Sequence, residues 1–333
     1  MEMLHLLVYV NNICSRECPE CYYPKGNDEM SLDIRKELPL WIANILEEER
    51  VKQFKIHFIG GEPLYSFKAM KLIYQNVMTM KPKECLPNSE AGWLTFTNGD
   101  LLTFDILNDI KKMKMRVLLN PTYDSLDGVE EKIKMVKSIC GGCALAIALD
   151  ELNLSRLTQL TELAIKHNCH MRTNRLYNGG TISGYVDEYE KQMKKMFDLL
   201  LKAENPMWPN FIMESTYPTW KGQKNCYSCG KWFLTIDPDG TIRSCNADLD
   251  TKVGHILINR NWSSIKFRQR WSAKNLPECQ DCEWITWCQG GCPYTRKLAY
   301  GTYEHKSPFC SAFKNLFPML MELTKIKEES LWL

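Results

Sequence analysis

Three closely spaced cysteines near the start of the chain offer the clearest chemistry. Cys14, Cys18 and Cys21 lie four and then three positions apart, after the apolar run 4–10, which predicts a buried strand. Such short spacing lets one loop wrap a compact metal centre with three thiolates. The next cysteine is Cys85, so a four-iron cubane here would keep one iron without a protein ligand. An open coordination position is where chemistry happens, as at open zinc sites.

The motif Cys-x3-Cys-x2-Cys after a first strand resembles the radical S-adenosylmethionine (SAM) superfamily. The resemblance implies a [4Fe-4S] cluster whose open iron chelates SAM. An electron passed into the sulfonium then releases a 5'-deoxyadenosyl radical, which abstracts a substrate hydrogen. A zinc knuckle or buried thiols are the alternative interpretation. The family often has an aromatic residue where this chain has Glu20; Tyr22 and Tyr23 follow the third cysteine instead, so the adenine contact stays open.

A second motif follows the next predicted strand, 54–59, which ends in Gly60-Gly61-Glu62-Pro63. Two glycines after a strand allow the backbone to approach a ligand closely. The sequence resembles the GGE motif that binds the SAM amino group in the radical SAM family, which assigns Gly60, Gly61 and Glu62 to cofactor binding. An ordinary strand-to-helix turn is the alternative.

Strands and helices alternate through residue 203, and six strand–helix units are predicted. Repeated units of this kind imply an α/β fold with a parallel sheet and right-handed crossovers. Radical SAM enzymes resemble this pattern as a partial (β/α)6 TIM-like barrel, in which ligands lie at the C-terminal ends of the strands. Asn98 and Asn120 fall at such ends and are candidate SAM contacts. For Asn98, followed by Gly99, a simple turn is the alternative.

The remaining cysteines form a second constellation after residue 206, where Pro206, Pro209 and Pro218 predict a domain boundary. The pattern resembles the seven-cysteine SPASM motif with one additional ligand. The resemblance implies two auxiliary [4Fe-4S] clusters, so three clusters in all. One would be held by Cys226, Cys229, Cys245 and Cys292, and the other by Cys279, Cys282, Cys288 and Cys310. Two four-thiolate zinc sites are the alternative. We therefore expect a barrel domain, 1–205, and a small cysteine-rich SPASM domain, 206–333.

Composition limits the class of protein further. A formal charge of +2 gives no general attraction to nucleic acid or membrane, and no apolar run is long enough for a transmembrane helix. The N-terminus lacks the basic segment of a signal peptide, which predicts a cytoplasmic protein. Four cysteines remain outside the cluster motifs, and buried thiols are the favoured interpretation for the pair Cys140 and Cys143; these four are Cys85, Cys140, Cys143 and Cys169.

The resemblance implies an oxidoreductase that matures a ribosomally synthesised precursor peptide by crosslinking, excision or oxidation. The alternatives are sulfatase-maturating protein oxidation, a small-molecule radical dehydrogenase, and a non-catalytic Fe–S or zinc protein. Formylglycine-forming members often have an aspartate base after the third auxiliary cysteine, where this chain has Asn246. Only thirteen residues precede Cys14, so we expect a separate leader-peptide-binding protein, together with an electron donor of the flavodoxin or ferredoxin type. No catalytic acid or base is assigned.

Overall fold

The computed structural model describes residues 3–18, 21–88, 92–122, 124–175, 182–203, 233–265, 276–288 and 290–330. Its strands are β1 (Met3–Tyr9), β2 (Gln53–Ile59), β3 (Leu86–Pro87), β4 (Trp93–Thr97), β5 (Arg116–Leu119), β6 (Ala144–Leu149), β7 (His170–Arg175), β8 (Phe233–Ile236), β9 (Thr241–Arg243) and β10 (Lys252–His255). Its helices are α1 (Leu32–Glu48), α2 (Phe67–Met80), α3 (Phe104–Lys112), α4 (Leu126–Cys140), α5 (Glu151–Ser155), α6 (Leu157–Lys166), α7 (Ile182–Lys202), α8 (Ile285–Cys288), α9 (Pro293–Tyr300) and α10 (Cys310–Ser330).

The predicted alternation of strands and helices is confirmed, and local sequence explains where the helices begin. The Ser31 hydroxyl accepts a hydrogen bond from the Ile34 amide at the start of α1, as Thr103 does from Ile106 at the start of α3. The sequence pattern predicts one continuous helix over 153–167, and the structure interrupts it. The structure has two helices there, α5 and α6, with a break at Arg156.

Arg156 accounts for that break. Its guanidinium donates to the backbone oxygen of Pro121 at 2.6 Å and also to that of Asp124. The Asn153 side-chain oxygen accepts two further hydrogen bonds from it, at 2.8 and 3.1 Å. Satisfying these loop carbonyls favours the local turn over a continuous helix, which periodicity alone does not show.

The chain divides into two compact units, of which the first contains 1–119, 136–142 and 228–270. In this unit β1, β2, β4 and β5 pair in parallel, in that order along the sheet. On its other edge β1 pairs in parallel with β8, and β9 and β10 continue the sheet in antiparallel fashion. The predicted domain boundary at residue 206 lies outside the described residues. The hairpin of β8 and β9, which follows it in sequence, belongs to the same sheet as β1.

The two faces of this sheet differ in chemistry because successive side chains point to opposite sides. On one face the Trp93 ring packs against Phe54 and Phe58 at centroid distances of 5.7 and 5.8 Å, and Tyr74 of α2 covers it at 4.9 Å. On the other face His5 Nε2 and His57 Nδ1 lie 3.0 Å apart, and both rings are buried. The helix-covered face is therefore the apolar core.

The second unit contains 120–135, 143–227 and 271–333. Its strands β6 and β7 pair in parallel over six residues. The helices α7 and α10 pack together, with the Phe309 ring edge-on to Tyr185 and Tyr189, and Asn315 donates to Glu190 at 2.9 Å. Within the residues described, none of the helices has the length and apolar character needed to cross a membrane.

The turn between β8 and β9 generates a testable prediction about stability. Gly240 has φ +88°, and a Cβ on it would lie 2.7 Å from Ile34 Cδ1. We expect Gly240→Ala to lower the free energy of unfolding by about 1–2 kcal/mol, the cost of a left-handed backbone for an L-residue. Denaturant titration measures the change. The control is Gly142→Ala, where a Cβ meets no atom within 4 Å; equal stability of the two variants would contradict the prediction.

Candidate cofactor site

The first cysteine motif lies in a loop that is closed at its base by backbone pairing. Asn12 donates its amide to Asp28 O at 3.0 Å, and Gly26 donates to Asn12 O at 3.1 Å. Within the loop, Cys14 and Cys18 are half-buried and Cys21 is exposed. The loop therefore begins directly beyond the buried end of β1, with its three thiols held on a short, anchored segment.

The three thiols lie within electrostatic range of one another. Burial raises the pKa of Cys14 and of Cys18, and the charge on the Cys21 thiolate raises both further. Among the residues that the structure describes, no three His, Cys, Asp or Glu side chains gather closely enough to hold a single metal ion. A cubane binds each thiolate to a different iron, so its ligands need not meet at one point. The donor set fits an iron–sulfur cluster.

Arg16, between the first two cysteines, ties the loop to the end of β4. Its guanidinium makes a bidentate pair with Asp100, at 2.8 Å from Nε and 2.5 Å from Nη2. Nη2 also donates to the backbone oxygen of Asn98 at 3.3 Å, and the Arg16 amide donates to Cys14 Sγ at 3.5 Å. Bidentate arginine–carboxylate pairs impose geometry as well as attraction, so the pair orients the loop.

The glycines after β2 approach the chain that enters the cysteine loop. A Cβ on Gly61 would lie 2.3 Å from the Ile13 carbonyl oxygen, and one on Gly60 would lie 2.9 Å from that of Asn11. Two backbone hydrogen bonds join the same segments, from Gly61 to Asn11 O at 3.2 Å and from Glu62 to Ile13 O at 2.6 Å. The sequence predicts that these glycines let the backbone approach a ligand. In the structure they let it approach the protein's own backbone, next to Cys14.

The Glu62 carboxylate is 1% exposed and accepts three hydrogen bonds. Oε1 accepts from the Leu64 amide at 3.1 Å and the Thr97 hydroxyl at 2.8 Å, and Oε2 accepts from the Asn98 amide at 2.7 Å. Burial raises the pKa of Glu62, and these three hydrogen bonds oppose the rise. The side chain thus connects the end of β2 to the end of β4.

Asn11 and Ser66 complete this network, and sequence reasoning missed both. Asn11 is fully buried, and its side-chain amide donates to Glu62 O at 3.1 Å and to Ser66 Oγ at 2.9 Å. The Ser66 hydroxyl in turn donates to Glu29 at 2.9 Å. For Asn11 the sequence offers one clue: it is a polar residue directly after the largely apolar run 4–10, where a buried side chain needs hydrogen-bond partners.

The two asparagines predicted to contact SAM are placed differently. Asn98 follows β4 in the first unit, and its side-chain oxygen accepts from the Asp100 amide at 2.8 Å. Asn120 belongs to the second unit, and its side-chain oxygen accepts from the amide and the hydroxyl of Thr122, at 3.2 and 2.6 Å. Both side chains make local turns. Their contact with SAM stays a prediction.

Both tyrosines after the third cysteine face the segment that contains Cys245. The Tyr22 hydroxyl accepts a hydrogen bond from Asn246 Nδ2 at 2.9 Å and lies 3.2 Å from the Tyr9 hydroxyl. The Tyr23 ring stacks on Tyr9 at a centroid distance of 3.9 Å. Burial raises the pKa of Tyr22, and the charges of Cys21 and Cys245 raise it further. Tyr22 therefore lies near cysteines of both predicted clusters.

Of the second auxiliary set, Cys279 lies within electrostatic range of Cys282 and Cys310. Burial raises the pKa of Cys279, and the charges on Cys310 and Cys282 raise it further. Cys288, the fourth ligand in this set, is buried at the end of α8. The first auxiliary set includes Cys226 and Cys229, which lie outside the described residues, and its assembly stays a prediction.

The four cysteines outside the motifs are mostly enclosed. Cys85, Cys143 and Cys169 are buried, and Cys140 is half-buried. Burial raises the pKa of Cys85 to about 11, which keeps it a thiol at neutral pH. These features are those of buried structural thiols.

Comparison with known proteins places this site in a family context. Residues 4–125 match a family model described as a 4Fe-4S single cluster domain. An uncharacterized protein of Archaeoglobus fulgidus is 22% identical over 340 residues, covering 95% of this chain and 81% of that protein. A second uncharacterized protein, from Methanocaldococcus jannaschii, is 29% identical over 129 residues, which is 38% of this chain and 40% of that protein.

Two solved structures share the fold. One is native anSMEcpe with bound AdoMet and the Cp18Cys peptide, with a TM-score of 0.76 and 16% identity, covering 99% of this chain and 100% of that one. This likeness confirms the predicted α/β fold with a parallel-strand sheet. The other is Streptococcus suis SuiB bound to precursor peptide SuiA, with a TM-score of 0.66 and 14% identity, covering 93% of this chain and 76% of that one. The cluster and SAM contacts of this chain stay predictions at the level of single residues.

Substitutions at Gly61 and Glu62 are expected to affect SAM binding and iron retention differently. We expect Glu62→Ala to weaken SAM binding, because the variant loses the side-chain hydrogen bonds that join the end of β2 to the end of β4. It should keep the iron bound by Cys14, Cys18 and Cys21, because the backbone hydrogen bond to Ile13 remains. Each buried donor left unpaired costs about 1–3 kcal/mol. Gly61→Val should weaken SAM binding and also release iron, because its side chain would displace the carbonyl next to Cys14. Equilibrium dialysis with SAM and iron analysis measure both effects.

Glu84→Ala is the control, because Glu84 is an exposed carboxylate elsewhere in the same unit. SAM binding by Glu62→Ala at the parent affinity would show that the site is misplaced. Full iron retention by Gly61→Val would show that cluster binding by the cysteine loop does not depend on the close contact between Gly61 and the Ile13 carbonyl.

Proposed function

We propose that this chain is a radical SAM enzyme. The observation that carries the proposal is the cysteine loop itself. Its three thiols lie within electrostatic range of one another, and backbone hydrogen bonds tie the residues that enter it to the Gly60–Glu62 strand end, within a fold shared with an AdoMet-bound protein. Cys14, Cys18 and Cys21 would hold a [4Fe-4S] cluster, and Gly60, Gly61 and Glu62 would border SAM. When bound, the cluster and SAM supply a 5'-deoxyadenosyl radical by one-electron cleavage.

The chain's own residues then have defined tasks. Asn11 ties the segment after β1 to the end of β2, and Glu62 ties the end of β2 to the end of β4, through buried hydrogen bonds. Arg16 and Asp100 hold the cysteine loop toward β4 from the solvent side. Preorganised supports of this kind keep a reactive site in place without reorganisation during the reaction.

We further propose two auxiliary [4Fe-4S] clusters at the C-terminal cysteines. The electrostatic interaction of Cys279 with Cys282 and Cys310 supports the second of them. Thiolates placed this close repel one another, and binding to metal offsets the repulsion and contributes to folding. Zinc at these sites is the alternative, and metal analysis distinguishes zinc from iron.

Iron analysis tests the cluster assignment. After anaerobic reconstitution we expect about eleven to twelve irons per chain, from three cubanes. Changing Cys14, Cys18 and Cys21 together to alanine should remove about four irons and abolish reductive cleavage of SAM to 5'-deoxyadenosine. The matched control is Cys85→Ala, which alters a buried thiol outside the motifs and should keep the full iron content. Zinc instead of iron at the C-terminal cysteines of anaerobically purified protein would contradict the auxiliary clusters.

We propose a peptide as the substrate class. Two proteins of the same fold were crystallised with peptides, Cp18Cys on anSMEcpe and SuiA on SuiB. Asn246 argues against the oxidation of a serine or cysteine to formylglycine, because its side chain is an amide that donates to Tyr22. A carboxamide is not basic enough to take up a proton as a carboxylate does, so Asn246 does not supply the general base. Maturation of a precursor peptide by crosslinking, excision or another oxidation is therefore favoured.

The substrate assay incubates reduced enzyme and SAM with a short peptide encoded beside the gene, with and without its leader sequence. We expect a mass change confined to the core of the peptide, which is absent in Cys14→Ala. Adding a leader-binding protein in trans should raise turnover, because it increases the effective concentration of the peptide. Efficient turnover of a free sugar, amine or amino acid without any effect of peptide would refute the substrate class and leave the radical chemistry intact.

A further inference from the structure

We propose that Tyr22 and Asn246 are positioning residues that join the loop of the SAM-binding cluster to the loop of the first auxiliary cluster. This inference rests on the proposed cluster ligands, because Tyr22 follows Cys21 and Asn246 follows Cys245. A hydrogen bond of 2.9 Å, from Asn246 Nδ2 to the Tyr22 hydroxyl, connects the two. Each partner is thus one peptide bond from a predicted iron ligand.

Tyr9 supports this link from the buried end of β1. Its ring is 1% exposed, and its hydroxyl lies 3.2 Å from that of Tyr22. The Tyr9 hydroxyl also donates to the backbone oxygen of Asn246 at 3.4 Å. The contact between the two loops therefore includes both the side chain and the backbone of Asn246.

A buried cation fixes the auxiliary side of the link. Arg243 is 1% exposed, and its Nη1 donates to Asn246 O at 3.1 Å. Its guanidinium lies over the Tyr9 and Tyr23 rings, 5.4 and 5.8 Å from their centroids, and pairs with Asp237 through two hydrogen bonds. Asn246 is thus held at its carbonyl by two buried donors, which leaves its amide to set the position of Tyr22.

Residues that orient metal ligands without touching the metal commonly change metal affinity or activity about 10–100-fold when they are mutated. Hydrogen bonding and solvent access near the sulfurs also set the reduction potential of an iron–sulfur cluster. Tyr22 and Asn246 would act in both ways at once, since one hydrogen bond supports the segments of Cys21 and Cys245. Loss of either partner should loosen the auxiliary ligand while the fold is kept.

The experiment compares the reconstituted full-length enzyme with Tyr22→Phe, Asn246→Ala and the double variant. We measure the rate of iron release to a chelator, the midpoint potentials of the clusters by EPR-monitored titration, and thermal unfolding. Each single variant should release about four irons, those of the first auxiliary cluster, about tenfold faster than the parent does. The midpoint potential of that cluster should shift, and the thermal unfolding of the variant should stay close to that of the parent. The double variant should match the single variants, because all three lack the same hydrogen bond.

Two further variants separate this role from general damage. Asn246→Asp should restore slow iron release, because its carboxylate can accept a hydrogen bond from the Tyr22 hydroxyl. Tyr23→Phe is the matched control, since the Tyr23 hydroxyl donates to Asp237 and makes no hydrogen bond to Tyr22 or Asn246 in the structure.

Parent-like iron release and potentials in both single variants would overturn the proposal, as would additive effects in the double variant. If the parent holds only about four irons, those of the front cluster, the proposed auxiliary clusters fail, and this inference fails with them. A full iron content with unaffected variants would instead refute the inference alone.

Discussion

The close contact of backbone 11–13 with Gly60 and Gly61 is the constraint on which the candidate site depends. A side chain at either glycine would collide with a carbonyl oxygen, so the cysteine loop can leave β1 in its observed direction only because both side chains are absent. Two backbone hydrogen bonds then fix the register between the segments. Since Ile13 directly precedes Cys14, the position of the first thiol follows from strand pairing. The cysteines themselves need contribute little to the geometry that receives a cluster.

Two carboxylates hold this arrangement with different strength. Glu62 is buried and satisfied by three donors, so its loss leaves unpaired groups in a medium where each is costly. Asp100 pairs with Arg16 at a partly exposed position, and such pairs usually stabilise by less than about 1 kcal/mol. The buried carboxylate therefore determines whether the strand ends stay together. The ion pair adjusts the orientation of a loop that is already anchored.

Much of the fold could be predicted from sequence, because apolar runs followed by amphipathic segments specify the strand–helix order directly. The cysteine spacing predicts the ligand sets, and Cys18 and Cys279 each lie within electrostatic range of two other cysteines of their predicted sets. Asn11, Ser66 and Arg243 could not be predicted in this way. Their roles depend on partners far along the chain, and a polar residue at a strand end has many alternative environments. The sequence predicts that Gly60 and Gly61 allow a close backbone approach, and the structure has one. Only the structure shows that the approaching group is the backbone of residues 11–13.

The pair of Arg243 and Asp237 shows why such distant contacts matter near Cys245. Burying both charges is costly, and apolar residues of similar volume often stabilise a protein as well or better. Burial raises the pKa of Asp237, and the hydrogen bonds and charge of Arg243 oppose this rise. An apolar replacement could fill the space but could not donate to Asn246 O or stack as a cation on the Tyr9 and Tyr23 rings. The physical gain from this pair is thus direction rather than stability: it holds the segment after Cys245 at one position on the end of β1.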